Sequence, residues 1–97
     1  MASYVLLFNY TGQGIQTVKD TTKRAAAAGE LAGKFGVKIT NVLWTLGQYD
    51  GVIVTEAPND EAMAAFTIAA ASMGNIKTQT LRAFRAKEVD AILAKIK

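Results

Sequence analysis

The chain has 97 residues, which fit one domain spanning 1–97 and no more. It contains no cysteine and no histidine, and this excludes disulfide bonds, thiolate catalysis and the commonest nitrogen and sulfur ligands of metals and haem. We therefore expect no metal and no cofactor. The net charge of +3 comes from scattered basic residues, and no apolar run approaches the roughly 20 residues of a membrane span, so neither nucleic acid nor a membrane is an expected partner. The absence of a signal-peptide pattern and of cysteine favours a cytoplasmic protein.

The first third of the chain predicts a strand followed by a long helix. Residues 4–9 (YVLLFN) are a short apolar and aromatic run, and Gly12 and Gly14 permit the tight turn that follows it. From residue 15 to residue 35, apolar and small side chains recur every three or four positions, which predicts a helix that ends at Gly36. Asp20 and Thr21 are residue types that cap helices, so a break is expected near Asp20.

The rest of the chain predicts three strands and two helices. Residues 37–45 and 51–56 are separated by a connection of five residues, which is typical of an antiparallel hairpin. Pro58 and the polar residues 59–61 mark the start of a second helix, and Gly74 marks its end. The second helix is expected to bury Ala62, Phe66, Ala69, Ala70 and Met73. A fourth strand at 78–84 and a short closing helix at 87–97 complete the chain.

This order of elements predicts an α+β domain with the ferredoxin-like βαββαβ arrangement and a C-terminal helix. Both crossover helices then cover one face of a four-stranded antiparallel sheet, and the other face stays bare. The first strand carries Tyr4, Leu6 and Phe8 on one side and Val5 and Leu7 on the other. The second strand is expected to place Val37, Ile39 and Leu43 on one face of the sheet and Val42, Trp44 and Leu46 on the other. Because a water-facing side would be polar, we expect two copies to pair their bare faces in a dimeric α+β barrel.

Four carboxylates near the middle of the chain are the first candidates for chemistry. Asp60 and Glu61 are explained by the dipole of the second helix, and turn propensity explains Asp50, so a metal site is not favoured. Glu56 ends a strand, where it either pairs with a cation such as Arg82 or is an exposed rim charge. If the protein is an enzyme, Asp50 and Glu56 are the weak candidates for its base.

A second group of candidates would bind a ligand. Alternation along the fourth strand predicts that Thr78, Thr80, Arg82 and Phe84 face the dimer, while Leu81 and Ala83 pack under the helices. A guanidinium on the dimer face either crosses to a carboxylate of the other copy or binds an anion inside the barrel. The aromatic side chains of Tyr10, Trp44 and Tyr49 are candidates for a pocket wall, with core packing as the simpler role for Trp44.

Several blocks of the sequence resemble the GYD domain family of small bacterial proteins in the dimeric α/β-barrel superfamily. They are WTLGQYD at 44–50, GVIVTEAPNDEA at 51–62, NYT at 9–11 with Gly14-Ile15, KDT at 19–21 with KR at 23–24, GNIKT at 74–78 and TLRAF at 80–84. Gln48 in front of Tyr49-Asp50 is a small departure from the motif that names the family. The resemblance implies this fold and dimerisation, and no established activity comes with it. Other members of the superfamily include cofactor-independent monooxygenases, isomerases, haem proteins and ligand sensors, and the missing histidine disfavours the haem branch.

Three functional hypotheses follow. The first is a homodimeric bacterial barrel that binds a small molecule through Tyr10, Trp44, Tyr49 and Arg82. The second is a cofactor-independent oxygenase or isomerase that acts on a small aromatic or anionic metabolite. The third is a non-catalytic assembly module that forms a homodimer or a higher homo-oligomer. Binding is favoured slightly over catalysis because the usual proton-transfer residue, histidine, is absent.

Overall fold

A computed structural model describes residues 1–96 of the chain, and the structural statements below concern those residues. In chain order the elements are β1 (Ala2–Tyr10), α1 (Gly12–Gln16), a 3-10 turn (Val18–Asp20), α2 (Thr21–Lys34), β2 (Lys38–Trp44), β3 (Gly51–Ala57), α3 (Asp60–Ala71), β4 (Ile76–Ala83) and α4 (Ala86–Leu93). The predicted α+β class and the βαββαβ order with a C-terminal helix are confirmed. The predicted first helix is interrupted at Val18–Asp20, which confirms the break expected near Asp20.

The four strands form one antiparallel sheet in the order β2-β3-β1-β4. β1 is central because it pairs with β3 on one side and with β4 on the other. The predicted hairpin of β2 and β3 is also confirmed. Each strand therefore presents alternate side chains to the same two faces of the sheet.

Helices α2 and α3 cover one face of this sheet and bury its core. The core consists of Tyr4, Leu6, Phe8, Ala32, Val37, Ile53, Ala57, Met63 and Phe66. Phe66 was expected in this core, but Met73 is 59% exposed because α3 ends at Ala71, two residues before it. Met63, one turn before Phe66, takes the buried position instead. Among the alanines predicted to be buried, Ala62, Ala69 and Ala70 are half-buried.

A β-bulge in β2 changes the side to which part of that strand points. Ile39 pairs with Thr55 and Asn41 pairs with Val54, so Thr40 is an extra residue in the strand. The Thr40 hydroxyl donates a hydrogen bond to the Val54 carbonyl at 3.1 Å. The prediction that Ile39 and Leu43 share a face is therefore wrong: Ile39 packs on the core, and Leu43 points away from it.

The assignment of the two faces of β4 was also wrong. Arg82 lies opposite the buried Tyr4, so it belongs to the helix side of the sheet. Leu81 lies opposite Val5, points to the other side and is 43% exposed. β4 is an edge strand at the margin of the helix layer, where polar side chains can face the helices and still reach water.

The C-terminal helix α4 stands apart from this two-layer body. It makes at most marginal contacts with the other elements of residues 1–96, and the principal extents are 52, 31 and 17 Å. The radius of gyration is 14.6 Å, whereas a compact chain of this length would have about 12.5 Å. The helix was predicted to reach residue 97, which lies outside the described residues, but it ends at Leu93. No helix within residues 1–96 is long and apolar enough to cross a membrane.

Candidate functional site

The sheet has a second face that no helix covers in the described chain. Six aliphatic side chains lie on it, and we call them the open sheet face: Val5, Leu7, Leu43, Val52, Val54 and Leu81. They are neighbours across the strands, since Leu7 pairs with Val52 and Val52 pairs with Leu43. Leu43 is 57% exposed. A contiguous aliphatic surface of this kind marks an interaction site on a small protein.

Helix α4 exposes a second apolar surface. Val89, Ile92 and Leu93 stand at positions i, i+3 and i+4, so they form one stripe along the helix. Their exposed fractions are 38%, 42% and 53% in that order. A helix of eight residues is marginal in water when it packs on nothing. The stripe therefore needs a partner surface.

A cleft of about 150 Å³ lies between the sheet and α2, and we call it the α2 cleft. Its lining consists of Phe8, Tyr10, Thr21, Arg24, Ala25, Ala27, Ala28, Leu31, Val42, Trp44, Ile53, Ala70, Met73, Asn75 and Ile76. Tyr10 and Trp44, two of the predicted ligand-binding residues, meet here at the hydroxyl of Thr21. The Tyr10 hydroxyl lies 2.8 Å from the Thr21 Oγ1 atom, and the indole Nε1 of Trp44 donates to the same atom at 3.1 Å.

Thr21 and Arg24 are polar residues of the α2 cleft that sequence reasoning did not propose as ligand-binding. The signal was present, because Thr21, Arg24, Ala28 and Leu31 recur at helical spacing on one side of α2. The guanidinium of Arg24 donates to the Thr17 carbonyl and hydroxyl, each at 2.8 Å, and to the Gly14 carbonyl at 3.2 Å. Arg24 therefore holds the turn before α2 while its charge lines the cleft.

The other two predicted ligand-binding residues lie elsewhere. Tyr49 follows β2, and its hydroxyl donates to the Oε1 atom of Gln79 at 2.9 Å. Gln79 pairs with Leu7, which places this contact on the open sheet face. Arg82 is on the helix side, but at the opposite end of β1 from Tyr10. The four residues therefore do not form a single pocket.

Arg82 is held by its own chain. Its guanidinium lies 5.5 Å from the ring centroid of Tyr4 and 4.5 Å from that of Phe84. It donates to the carbonyl oxygens of Ser3, at 3.1 Å, and of Ala83, and it forms an ion pair with Glu88 at 3.8 Å. Of the two alternatives for Glu56, the ion pair with Arg82 is not formed within residues 1–96, where Arg82 pairs with Glu88 instead.

A second hollow adjoins Arg82 and is lined by Tyr4, Asp60 and Met63 among others. The Tyr4 hydroxyl donates a hydrogen bond to the Asp60 Oδ1 atom at 2.5 Å. This hydrogen bond, together with burial of the ring, raises the pKa of Tyr4 above its ordinary value. Asp60 thus ties the first turn of α3 to the central strand.

The two carboxylates proposed as a catalytic base lie in different surroundings. The Oδ2 atom of Asp50 accepts a hydrogen bond from the Tyr10 backbone N–H at 2.8 Å, which fastens the β2–β3 connection to β1. Glu56 is half-buried and pairs with Ser3 and Lys38 in the sheet. In the part of the chain described, no three residues of the types that ligate metals come together.

Comparison with known proteins gives consistent results. The sequence profile of the GYD domain matches residues 4–93. A Thermus thermophilus protein named glutamine synthetase and cystathionine beta-lyase binding protein is 33% identical over 94 residues, which are 96% of this chain and 99% of that protein.

Two solved structures share the fold. The crystal structure of TTHA0845 from Thermus thermophilus is 24% identical, with a TM-score of 0.58 over 89% of this chain and 96% of that one. The solution structure of the C-terminal domain of the MgtC protein from Mycobacterium tuberculosis is 9% identical, with a TM-score of 0.57 over 89% of this chain and 92% of that one. At these identities the likeness concerns the fold alone.

Proposed function

The chain belongs to the GYD domain family, and from that premise we propose that it is a homodimeric, non-catalytic module that binds an enzyme in the bacterial cytoplasm. The observation that carries the proposal is the open sheet face, which is aliphatic and uncovered in the single chain. The enzyme-binding part is supported by the relative whose name describes binding to glutamine synthetase and cystathionine beta-lyase. The cytoplasmic location is supported by the absence of cysteine.

A second copy of the chain is the occupant that we propose for the open sheet face. Burying an aliphatic side chain completely contributes about 1.5–3 kcal/mol, and a two-fold pairing would bury the same residues on both copies. The patch suits self-pairing because its centre holds Leu7, Val52 and Val54 without a formal charge. Pairing also supplies the apolar burial that a domain of 97 residues has difficulty providing alone.

Helix α4 is the segment that we propose for contact with the enzyme. Its stripe of Val89, Ile92 and Leu93 has the spacing with which amphipathic helices insert into apolar grooves. The helix stands clear of its own domain, so it can reach another protein without disturbing the sheet. The sheet face would then serve dimerisation, while α4 would serve recognition.

Catalysis receives less support than binding. The Asp50 carboxylate accepts a hydrogen bond from the main chain of Tyr10, a structural role that explains its position. Glu56 lies beside the open sheet face, where a second copy would approach it. The single barrel pocket expected from Tyr10, Trp44, Tyr49 and Arg82 is likewise not assembled within one chain.

Sedimentation equilibrium at micromolar concentration tests the dimer. We expect twice the monomer mass of 10.3 kDa for the wild-type protein. Leu43→Glu places a charge on the open sheet face at an edge strand, and we expect it to return the monomer mass. Ile68→Glu is the matched control, because Ile68 is an exposed aliphatic residue on α3, and its variant should remain dimeric. A folded wild-type monomer would refute the dimer.

Binding to purified glutamine synthetase and cystathionine beta-lyase from the same bacterium tests the recognition role of α4. We expect the wild-type protein to co-sediment with at least one of the two enzymes. Ile92→Glu should abolish this complex and leave the dimer mass unchanged, whereas Ala91→Glu in the same helix should retain both. Loss of the dimer in Ile92→Glu would assign α4 to the self-interface instead, and binding to neither enzyme would refute the recognition role.

A further inference from the structure

We propose that the α2 cleft binds a small monocyclic aromatic carboxylate. This site lies between the sheet and α2, away from both the open sheet face and the stripe on α4. The inference is therefore independent of the proposed dimer and of the enzyme partner. It rests on the size of the cleft, on its aromatic wall and on hydrogen-bond donors that the chain itself does not use.

The dimensions of the cleft match one six-membered ring. Its volume is about 150 Å³, and an apolar cavity of about this size in another protein accommodates benzene. The cleft is partly open to solvent, so a ring of this size can enter it from the surface. The alanines of α2 and α3 that line the cleft keep it open, because their side chains do not reach the sheet.

The wall opposite these alanines is aromatic. The rings of Phe8 and Tyr10 meet edge to face, with centroids 5.8 Å apart and an angle of 76° between their planes. Trp44 adds a third ring from β2. Rings arranged in this way favour a planar aromatic guest, which can stack on one ring and meet another by its edge.

The hydroxyl groups at the end of the cleft have one hydrogen to spare. Trp44, Tyr10 and Thr21 together carry three polar hydrogens on their side chains, and the two bonds that join these side chains use two of them. Within residues 1–96, neither hydroxyl is bonded to any other group. Whichever hydroxyl donates to the other, the third hydrogen is free to donate to an acceptor on a ligand.

Arg24 supplies the positive charge that selects a carboxylate. A guanidinium has five N–H groups, and three of them are used by Thr17 and Gly14, so two are left. No carboxylate in the described part of the chain forms an ion pair with Arg24. An anionic oxygen on the guest would therefore meet unused charged donors, and such hydrogen bonds are about twice as strong as neutral ones.

Calorimetric titration of the wild-type protein with three probes tests the ligand class. Benzoate has the ring and the charge, benzyl alcohol keeps the ring without the charge, and acetate keeps the charge without the ring. We expect benzoate to bind at least tenfold more tightly than either of the others. Trp44 is the single tryptophan of the chain, so its fluorescence should change as the probe enters. Equal affinities for benzoate and benzyl alcohol, or no benzoate binding at millimolar concentration, would overturn the proposal.

Paired variants of α2 test the location. Ala28→Phe would fill the cleft, and we expect it to abolish benzoate binding, whereas Ala26→Phe on the exposed side of the same helix should bind as the wild-type protein does. Arg24→Gln removes the positive charge from the cleft, and we expect it to weaken benzoate binding about tenfold while leaving the affinity for benzyl alcohol unchanged. Arg24→Gln decides the matter if circular dichroism shows Ala28→Phe to be unfolded. Undiminished benzoate binding in a folded Ala28→Phe variant, or in Arg24→Gln, would show that benzoate binds elsewhere.

Discussion

At the scale of single residues, Gly14 lies directly against the main chain of Asn75. A Cβ atom at this position would lie 1.9 Å from the carbonyl oxygen of Asn75, which is main chain and cannot swing away. Thr11 reinforces the same junction, since its hydroxyl donates to the Gly74 carbonyl and accepts from the Gly14 N–H. The turn after β1 is thereby locked to the start of β4.

We therefore expect Gly14→Ala to lower the free energy of unfolding by about 1–3 kcal/mol, which is the usual cost of overpacking. Gly12→Ala is the control in the same helix, because its Cβ would meet nothing within 4 Å and alanine favours helix. Urea denaturation of both variants measures the difference. Equal destabilisation would show that the Asn75 contact is not the reason for glycine.

Tyr4 makes stability depend on pH in the alkaline range. Its hydrogen bond to Asp60 and its burial raise the pKa of the phenol in the folded state above the ordinary value of 10.0. The folded protein therefore holds this proton more firmly than the unfolded chain does. The resulting stabilisation is complete below pH 10 and is lost as the pH rises through the folded-state pKa.

Tyr4→Phe should separate this contribution from that of other groups. At pH 7 the variant loses the hydrogen bond to Asp60, and we expect it to be less stable by about 1 kcal/mol. Above pH 10 the difference should shrink, because the unfolded wild-type chain is then stabilised by ionisation of Tyr4, which phenylalanine cannot undergo. Urea denaturation at intervals between pH 7 and pH 11 would measure both effects, and a constant difference across this range would contradict the expectation.

Residue types did not predict which of the candidate ligand-binding residues would lie together. Tyr10 and Trp44 were candidates for a pocket wall because they are aromatic side chains with a polar tip, and the structure brings them together at Thr21. Tyr49 is also aromatic, but its hydroxyl bonds Gln79 on the open sheet face, and the pairing of β4 with β1 places Arg82 at the opposite end of β1 from Tyr10. Side-chain chemistry is visible in a sequence, whereas the register that assembles a pocket arises from long-range pairing.

At the scale of elements, α3 begins with a well-formed cap. The Asn59 side chain accepts a hydrogen bond from the Ala62 N–H at 2.9 Å, and Asp60 and Glu61 lie in the first turn. Negative charge near the N-terminus is favourable to the helix dipole. Each of these features was visible in the sequence, since they depend on neighbours within four residues.

We expect Asn59→Ala to destabilise the protein by about 1 kcal/mol, the typical cost of losing an N-cap. Asn59→Asp should retain most of the stability, because a carboxylate accepts the same hydrogen bond. Thermal unfolding followed by circular dichroism at 222 nm would compare them. A variant with alanine as stable as the wild-type protein would mean that α3 is fixed by packing of Phe66 and Met63 alone.

The order of the elements was predictable, but the faces of two strands were not. Local patterns gave the correct succession of strands and helices and the break before Thr21. In β4, polar and apolar residues alternate only over residues 80–83, and the edge position allows Arg82 to lie over Tyr4 on the helix side, contrary to the rule that the polar set faces away from helices. In β2, the extra residue Thr40 reverses the faces to which the following side chains point, and no local sequence pattern predicts this bulge.

At the scale of the whole molecule, the proposed dimer has a thermodynamic signature that needs no variant. If folding and pairing are coupled, the melting temperature rises with protein concentration by mass action. For two chains of 97 residues, a tenfold increase in concentration should raise it by roughly 3 °C. Scanning calorimetry across two decades of concentration measures this, with Leu43→Glu as the variant expected to show no dependence. A wild-type melting temperature independent of concentration would argue against pairing.

The two borders of the sheet are unequal, and this limits how copies can associate. β4 offers a regular ladder of eight residues at its outer border, whereas the outer border of β2 is interrupted by the extra residue at Thr40. The unpaired N–H and C=O groups of a regular edge strand can pair with a strand of another chain, whereas a bulge disturbs this pairing. Another copy could therefore pair with the regular edge strand β4, but further copies would pair poorly with the bulged edge strand β2. We therefore expect the bulge in β2 to disfavour the growth of a continuous intermolecular sheet by a protein with an exposed aliphatic face.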